Sequence, residues 1–427
     1  MRRLLWLSGL AYLLLLAGLA TLNGPLLALS LPFIAYLGAA FLFGPGELDL
    51  TVERSLSADR VSKGRPVTVQ LSVTNRGARL EHVRIEDTIP AQLEVMDGDA
   101  SLFTSLRPGE TASLTYRLRG ERSDVQLGPV RVQASDALGL VWRRSALRTP
   151  EHLTVLPEVM KLRRVEIRPR RTRAYAGPVP ARQGGSGVEF FGVREYQIGD
   201  PLRWVNWRIS ARHPPSLFTN EFEQERITDV GLILDARRRT DVQGEEGTLF
   251  SHAVRATASL AAAFLSEGNR VGLLIYGGFL DWTFPGYGRI QRERILRALA
   301  GAETGESLVF ESLDFIPTRY FPAKSQLVLV SPLCEDDAPP LVRLRARGYQ
   351  VMAISPNPIA FEARSLDTTP PASLAVRIAR LERGLLLRRL RRAGIRTVDW
   401  RVETPFDLAI HTSLSQQPHS LGTIGVE

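Results

Sequence analysis

Three patterns of apolar and polar positions follow one another along this chain. Leu4 to Thr21 and Leu26 to Phe43 are apolar runs without a charge, each about 27 Å long as a helix at ~1.5 Å per residue. Asn23-Gly24-Pro25 between them is a turn signal, so the pair predicts a tight transmembrane helical hairpin over 4–21 and 26–43. Trp6, Tyr12 and Tyr36 suit the membrane interface, and Arg2 and Arg3 precede the first run. The positive-inside rule then predicts a cell membrane crossed twice, with both termini and the soluble domains cytoplasmic. A cleaved signal peptide is the competing reading of the first run, but it leaves the second without a purpose.

From Glu47 to Pro157 the period becomes two. Val67, Val69, Leu71 and Val73 alternate with Thr68, Gln70, Ser72 and Thr74, the mark of a half-buried strand. Leu114, Tyr116 and Leu118 repeat the pattern, as do Val130 and Val132, and Asn75-Arg76-Gly77, Asp97-Gly98 and Pro108-Gly109 supply turns. A small all-β, immunoglobulin-like sandwich is predicted, with Arg117, Arg119 and Arg131 on a solvated face. Beyond Asp229 strands and helices alternate. Val230–Leu234, Val271–Ile275, Leu327–Val330 and Gln350–Ile354 read as buried strands, Thr248–Ser266 and Ile290–Ala300 as helices, and a short helix precedes Gly348. Ser373–Arg392 reads as a further helix and Thr397–Val402 as a strand. That order predicts a doubly wound, Rossmann-like α/β domain with a parallel sheet covered on both faces. The expected domains are 1–46, 47–157, a connecting region 158–228, and 229–427.

Composition narrows the chemistry. Among 427 residues of net charge +9, the only lysines are Lys63, Lys161 and Lys324, so arginine carries the charge. Cys334 is the single cysteine, which excludes an intrachain disulfide and any multi-cysteine zinc site. The histidines, His82, His152, His213, His252, His411 and His419, show no metal-ligand spacing, and the acidic neighbours Glu335 and Asp336 are expected to raise the Cys334 pKa. The basic run Lys161–Arg173 lacks the aromatic platforms of single-strand nucleic-acid binders, and no nucleic-acid partner is expected. Gln183-Gly184-Gly185-Ser186-Gly187 lacks the Gly-Lys-Ser/Thr ending of a phosphate loop and reads as a flexible loop. Gly286-Tyr287-Gly288 reads as a turn before a helix.

The densest signal is Glu189 to Arg212, where Arg194, Arg203, Arg208 and Arg212 interleave with Glu189, Glu195, Asp200, Tyr196, Trp204 and Trp207. Such a string predicts a network of arginine forks, carboxylates and aromatic faces. It resembles the signature of the prokaryotic domain-of-unknown-function 58 family. Glu189, Phe190, Arg194, Glu195, Tyr196, Gly199, Asp200, Arg203, Asn206, Trp207, Ser210, Ala211 and Arg212 occupy its places, with Val205 for the usual isoleucine. Asp136–Leu140 and Thr154–Glu158 resemble further family segments. The resemblance implies a partner, a MoxR-type AAA+ ATPase, with which relatives are thought to assemble or mature other proteins.

The α/β part also resembles a von Willebrand factor type A domain, which binds a divalent cation through an Asp-x-Ser-x-Ser loop, a distant Thr and a later Asp. Here the loop is Asp235-Ala236-Arg237-Arg238-Arg239, with Arg237 and Arg239 in the serine places, and Pro332 stands where the later aspartate belongs. Magnesium needs hard oxygen donors, so a degenerate, metal-free site is expected, with an arginine able to pair with Asp235. No cofactor and no catalytic set is expected. The commitment is a membrane-anchored, non-enzymatic interaction or scaffold protein. Its alternatives are a metal-dependent adhesion or ligand-binding domain and an enzyme acting on an envelope polymer.

Overall fold

The computed structural model describes residues 2–42, 47–135, 142–163, 165, 173–244, 247–307, 309–365 and 370–415. They fall into two units, Met1–Leu156 and Pro157–Glu427.

The first unit opens with helices α1 (Arg2–Ala20) and α2 (Gly24–Leu42), which pack on one another. Among the described residues no helix is long and apolar enough to cross a membrane. This corrects the expected two-span hairpin over 4–21 and 26–43, and with it the assignment to a cell membrane with cytoplasmic termini. Helix α1 begins with two charges, Arg2 and Arg3, while α2 opens on Gly24-Pro25 and carries Pro32 inside. The apolar part of each falls short of the ~20 residues that a ~30 Å hydrocarbon core requires. The expected bilayer contact through 4–43 rested on that span.

Eleven strands follow: β1 (Leu50–Leu56), β2 (Arg60–Ser62), β3 (Val67–Asn75), β4 (Leu80–Asp87), β5 (Leu93–Asp97), β6 (Ser101–Leu106), β7 (Thr111–Gly120), β8 (Ser123–Gln126), β9 (Val130–Ser135), β10 (Trp142–Leu147) and β11 (His152–Leu156). They form two four-stranded sheets, β1-β3-β7-β5 and β10-β9-β4-β6, and a three-stranded sheet, β2-β11-β8. The period of two does the sorting: Val67, Val69, Leu71 and Val73 on β3 join Leu114, Tyr116 and Leu118 on β7 and Val130 and Val132 on β9 in one core. Among the described residues of this unit two charged side chains point inward. Arg54 on β1 is buried and donates to Asp87 Oδ1 and to the Gly128 carbonyl (2.9 Å), while the Tyr116 hydroxyl donates to Asp87 Oδ2 (2.5 Å). Burial raises the Asp87 pKa, against the hydrogen bond from Tyr116 and the charge of Arg54.

In the second unit β12 (Arg173–Glu195) pairs with β13 (Phe218–Ile227) through several register shifts, and a short helix, α3 (Trp207–Ser210), lies between them in sequence. The run Gln183–Gly187, expected as a flexible loop, has its backbone in β12, because β13 supplies ladder partners such as Glu223 for Gly184. The main sheet is built from β14 (Asp229–Ala236), β17 (Arg270–Gly277), β18 (Leu280–Gly286), β19 (Gln326–Val330), β20 (Gln350–Pro356) and β21 (Arg396–Trp400). Its order is β18-β17-β14-β19-β20-β21, parallel except for the antiparallel edge strand β18. A two-residue pair, β15 (Gln243–Gly244) and β16 (Gly247–Thr248), precedes α4 (Leu249–Ser266). The other helices are α5 (Gly288–Ala300), α6 (Ala338–Ala346), α7 (Pro358–Glu362), α8 (Pro370–Arg392) and α9 (Phe406–Ser415).

Thr248 caps α4 by accepting from the Ser251 amide, and the alanine-rich face of α4 lets it lie against β14, β17, β19 and β20. Successive residues of β14 face opposite ways, so Ile233 joins Leu341 and Leu344 of α6 and Leu386, Leu387 and Leu390 of α8 in the core of the other face. From β14 the chain winds one way to β17; from β19 it winds the other way to β20. The crevice between the carboxyl ends of β14 and β19 is therefore the topological switch point, where open α/β sheets bind their ligands.

Candidate functional site

Asp235 is near the end of β14, and Ser331 follows β19 directly. Between them lies Arg237, only 3% exposed. Its Nε donates to Asp235 Oδ1 (2.8 Å) and Nη2 to Asp235 Oδ2 (2.5 Å), a two-point fork on one carboxylate. The same guanidinium donates to both oxygens of buried Asp337, from Nη1 (3.0 Å) and Nη2 (3.2 Å), and from Nη1 to the Glu311 carbonyl (2.9 Å). Ser331 Oγ donates to Asp235 Oδ2 at 2.6 Å. Arg239 adds a second guanidinium, Nη2 to Asp337 Oδ1 (2.6 Å) and Nη1 to Asp336 Oδ2 (2.9 Å). The Cys334 amide donates to Asp337 Oδ2 at 2.9 Å.

Burial by itself would lower the Arg237 pKa, but the hydrogen bonds and charges of Asp235 and Asp337 outweigh it and hold the group above the ordinary arginine value. Burial raises the Asp337 pKa, with Arg237 and Arg239 opposing. The nearby Tyr276 is pushed up to about 12, chiefly by burial, and donates to the Ser312 carbonyl at 2.6 Å. Two tight backbone passages frame the centre. A Cβ on Gly277 would come 2.3 Å from the Ala236 carbonyl oxygen, and Leu333 sits at φ 59, a left-handed conformation that costs a bulky residue energy.

The residues do not fit a divalent cation. Cys334, Asp336 and Asp337 are close enough to form a ligand group, yet Asp337 is already engaged by two guanidinium groups and an amide. The Arg237 guanidinium takes the Asp235 carboxylate that a cation would require. Pro332 offers no side-chain ligand, as expected; its carbonyl instead accepts from Arg383 Nη1 (2.7 Å) and from Ser355 Oγ (2.9 Å). The negative charge expected at the end of the later strand comes from Asp337, five residues further on.

Arg383 of α8 is buried as well, because its fork satisfies polar groups at the ends of three strands. Besides Pro332 it reaches Ser355 Oγ (2.9 Å) and Asp399 Oδ1 (2.8 Å). A cavity of about 510 Å³ adjoins the centre, bordered by Arg238, Arg239, Gly305, Glu306 and Phe310.

The signature run forms a different kind of place. Arg194 makes a two-point fork with Asp200, Nη1 to Oδ2 (2.8 Å) and Nη2 to Oδ1 (2.7 Å), and its Nε lies 3.6 Å from Glu221. Asp200 also accepts from the Gln197 amide at 2.9 Å, and the Tyr196 hydroxyl donates to the Asp200 carbonyl at 3.3 Å. Gly199, at φ 110, permits the tight turn that brings these groups together. Asn206 caps α3 by accepting from the Ile209 amide and donates to Asn220 Oδ1 (2.8 Å); Ser210 Oγ accepts from the Phe218 amide (2.8 Å). These bonds fasten 194–210 to β13.

The rest of the expected network is absent among the described residues. Arg203, Arg208 and Arg212 are exposed and make no ion pair there, so the predicted arginine-carboxylate network reduces to Arg194 with Asp200 and Glu221. Arg203 instead lies over the Trp204 ring at 5.8 Å. Trp207 is 64% exposed, and Phe190, Ile198 and Leu202 are exposed as well. Glu195 is exposed, and its carbonyl accepts from Arg194 (2.9 Å). The side chain of Glu189, the segment Asp136–Leu140 and most of Lys161–Arg173 lie outside the described residues.

A doubly wound α/β domain with an arginine-filled switch point and an exposed arginine-tryptophan run is thus the class defined here. The family model described as "Protein of unknown function DUF58" matches residues 192–357, and this part of the chain belongs to that family. No curated protein matches the chain. Among solved structures, the cupredoxin domain of amoB from Nitrosocaldus yellowstonii is similar at 9% identity and TM-score 0.19, covering 26% of this chain and 88% of that one. The FixG-related protein from Vibrio parahaemolyticus is similar at 10% identity and TM-score 0.17, covering 25% and 95%. Likenesses this slight carry no argument.

Proposed function

We propose that this chain is a non-enzymatic interaction and scaffold protein, working with a MoxR-type AAA+ ATPase in the assembly or maturation of other proteins. The observation that carries the reading is the exposure of Arg203, Trp207, Arg208 and Arg212 along one short segment. Its arginines have no ion-pair partner among the described residues, its tryptophan is exposed, and its backbone is held in place by Asn206, Ser210 and the Arg194–Asp200 fork. Tryptophan and arginine on a preorganised surface are the residue types that dominate binding energy. The α/β body is read as a von Willebrand factor type A-like domain, supported by its strand order and by Asp235 at the switch point, with Arg237 in the cation's place.

A metal-dependent adhesion role is disfavoured by that arginine. An enzyme reading is disfavoured because the thiol of Cys334 is raised in pKa by burial, with Asp337 and Asp336 adding to it, while His152 and His411 pair with Asp124 and Asp407. The test is capture of the purified ATPase encoded in the same genome by the full chain, with and without ATP. Trp207→Ala and Arg208→Ala are each expected to weaken binding about 30-fold, equivalent to ~2 kcal/mol, at unchanged melting temperature. Unchanged affinity in both variants contradicts the reading.

A further inference from the structure

Helix α8 is apolar on two opposite faces. Leu386, Leu387 and Leu390 are buried against the sheet beside Arg383. On the other side Leu374, Ile378, Leu381 and Leu385, spaced four, three and four residues apart, are between 48% and 66% exposed. Helical geometry aligns them in one stripe about 16 Å long at ~1.5 Å per residue. Packing accounts for the first face and leaves the second unexplained, and a contiguous exposed apolar stripe on a folded protein marks a contact site.

One border is basic. Arg377 and Arg388 flank that side at helical spacing, while the other side carries Glu382 beside Arg389; the three arginines are exposed and make no ion pair among the described residues. Next to Leu385 opens a cavity of about 310 Å³, lined also by Leu333, Ile359, Ala379, Arg389 and the acids Glu335 and Glu382.

We propose that this stripe and cavity dock an amphipathic helix of another protein, with aliphatic residues at three-four spacing and carboxylates along the flank that meets Arg377 and Arg388. That arginine border selects the acidic flank, and the cavity takes one side chain of the incoming helix, as in other helix-in-groove contacts. A flat anionic lipid surface would leave the cavity unfilled. A second copy would bring the same arginines against these. Residues 416–427 contain one acid and no leucine repeat. The inference is independent of the ATPase reading, since α8 lies outside the signature run.

The test is fluorescence anisotropy of a labelled synthetic peptide of about 18 residues, with leucines at three-four spacing and glutamates on one flank, titrated with the full chain. Micromolar binding that weakens with salt is expected. Leu374→Asp and Leu381→Asp should each weaken it at least about tenfold without moving the melting temperature, and Leu381→Met should retain it. Arg377→Glu with Arg388→Glu should transfer the preference to a lysine-flanked version of the peptide. The proposal is overturned if neither peptide binds, or if wild type binds both equally. It is also overturned if Leu381→Asp instead dissolves a dimer in sedimentation, or abolishes binding to phosphatidylglycerol vesicles while the peptide goes unbound.

Discussion

Arginine is used in two opposite ways within residues 157–427. At the switch point Arg237 is enclosed by Asp235, Asp337 and the Glu311 carbonyl, its donors met from within the chain. Along the signature run Arg203, Arg208 and Arg212 stand in solvent, as does Trp207. Residue type alone does not separate them; hydrogen-bond satisfaction does. A guanidinium whose fork is filled by buried carboxylates has nothing left for a ligand, whereas one held on an ordered backbone without a partner is available to one.

The largest expected effect is at the enclosed centre. Arg237→Ala leaves two buried carboxylates without their counter-charge and should cost roughly 3–5 kcal/mol, read by urea unfolding followed through tryptophan fluorescence. Removing the group together, as Arg237→Met with Asp235→Asn and Asp337→Asn, should cost less than Arg237→Ala alone. A single-variant cost below that of the triple variant would break the comparison at its buried end.

Next comes Arg383→Ala. It strips hydrogen bonds from the Pro332 carbonyl, Ser355 and Asp399 and should cost about 2–3 kcal/mol by the same assay. A smaller effect is expected from metal. Magnesium should leave the wild-type melting temperature unmoved, while Arg237→Ser with Arg239→Ser, which restores hydroxyl ligands, should be stabilised by roughly 1–3 kcal/mol at 10 to 100 times the dissociation constant. A wild-type shift lost in Asp235→Ala would show that the guanidinium does not hold the cation's place.

Along the signature run Trp207→Ala and Arg208→Ala should stay within about 0.5 kcal/mol of wild type in stability. The smallest effect belongs to Asp200, whose carboxyl is held below the usual aspartate range by the hydrogen bond from Arg194 and then by the Gln197 amide. A depressed pKa favours the fold above the unfolded-state pKa of ~3.9, and that contribution is lost as pH falls through the folded value. In a carboxyl NMR titration the Asp200 midpoint should therefore lie below that of an ordinary aspartate, and Arg194→Ala should return it.

Local periodicity made much of this fold readable. Val67–Val73 and Val230–Leu234 show their burial in the sequence, because a strand's facing is set by its neighbours two residues away. What escaped depends on distance. Asp337 meets Arg237 across 100 residues, and no local pattern marks it as the acid that Pro332 could not be. Nothing local separates Arg383 from the other arginines of α8, because its partners come from three separate strand ends. The edge strand β18 was legible, since Leu280, Trp282 and Phe284 alternate with Asp281 and Thr283, a period of two that stands apart from the continuous apolar runs of the parallel strands. The initial apolar runs give helices, but charge and proline at their starts leave too little apolar length to span a bilayer. In the signature run some fork of arginine with carboxylate was legible from composition; that Arg194 and Asp200 would make it, and that Arg203, Arg208 and Arg212 would be left out, was not.

The central claim is that the chain satisfies its switch-point arginine from within and keeps the exposed arginines of the signature run for a partner. Arginine-selective dicarbonyl labelling of the native full chain, read site by site by mass spectrometry with and without the ATPase, tests it most directly. The account predicts fast labelling at Arg203, Arg208 and Arg212, protection of these three by the ATPase, and negligible labelling of Arg237 in either condition. Labelling of Arg237 at the rate of the exposed three, or no protection of the three by the ATPase, would contradict it.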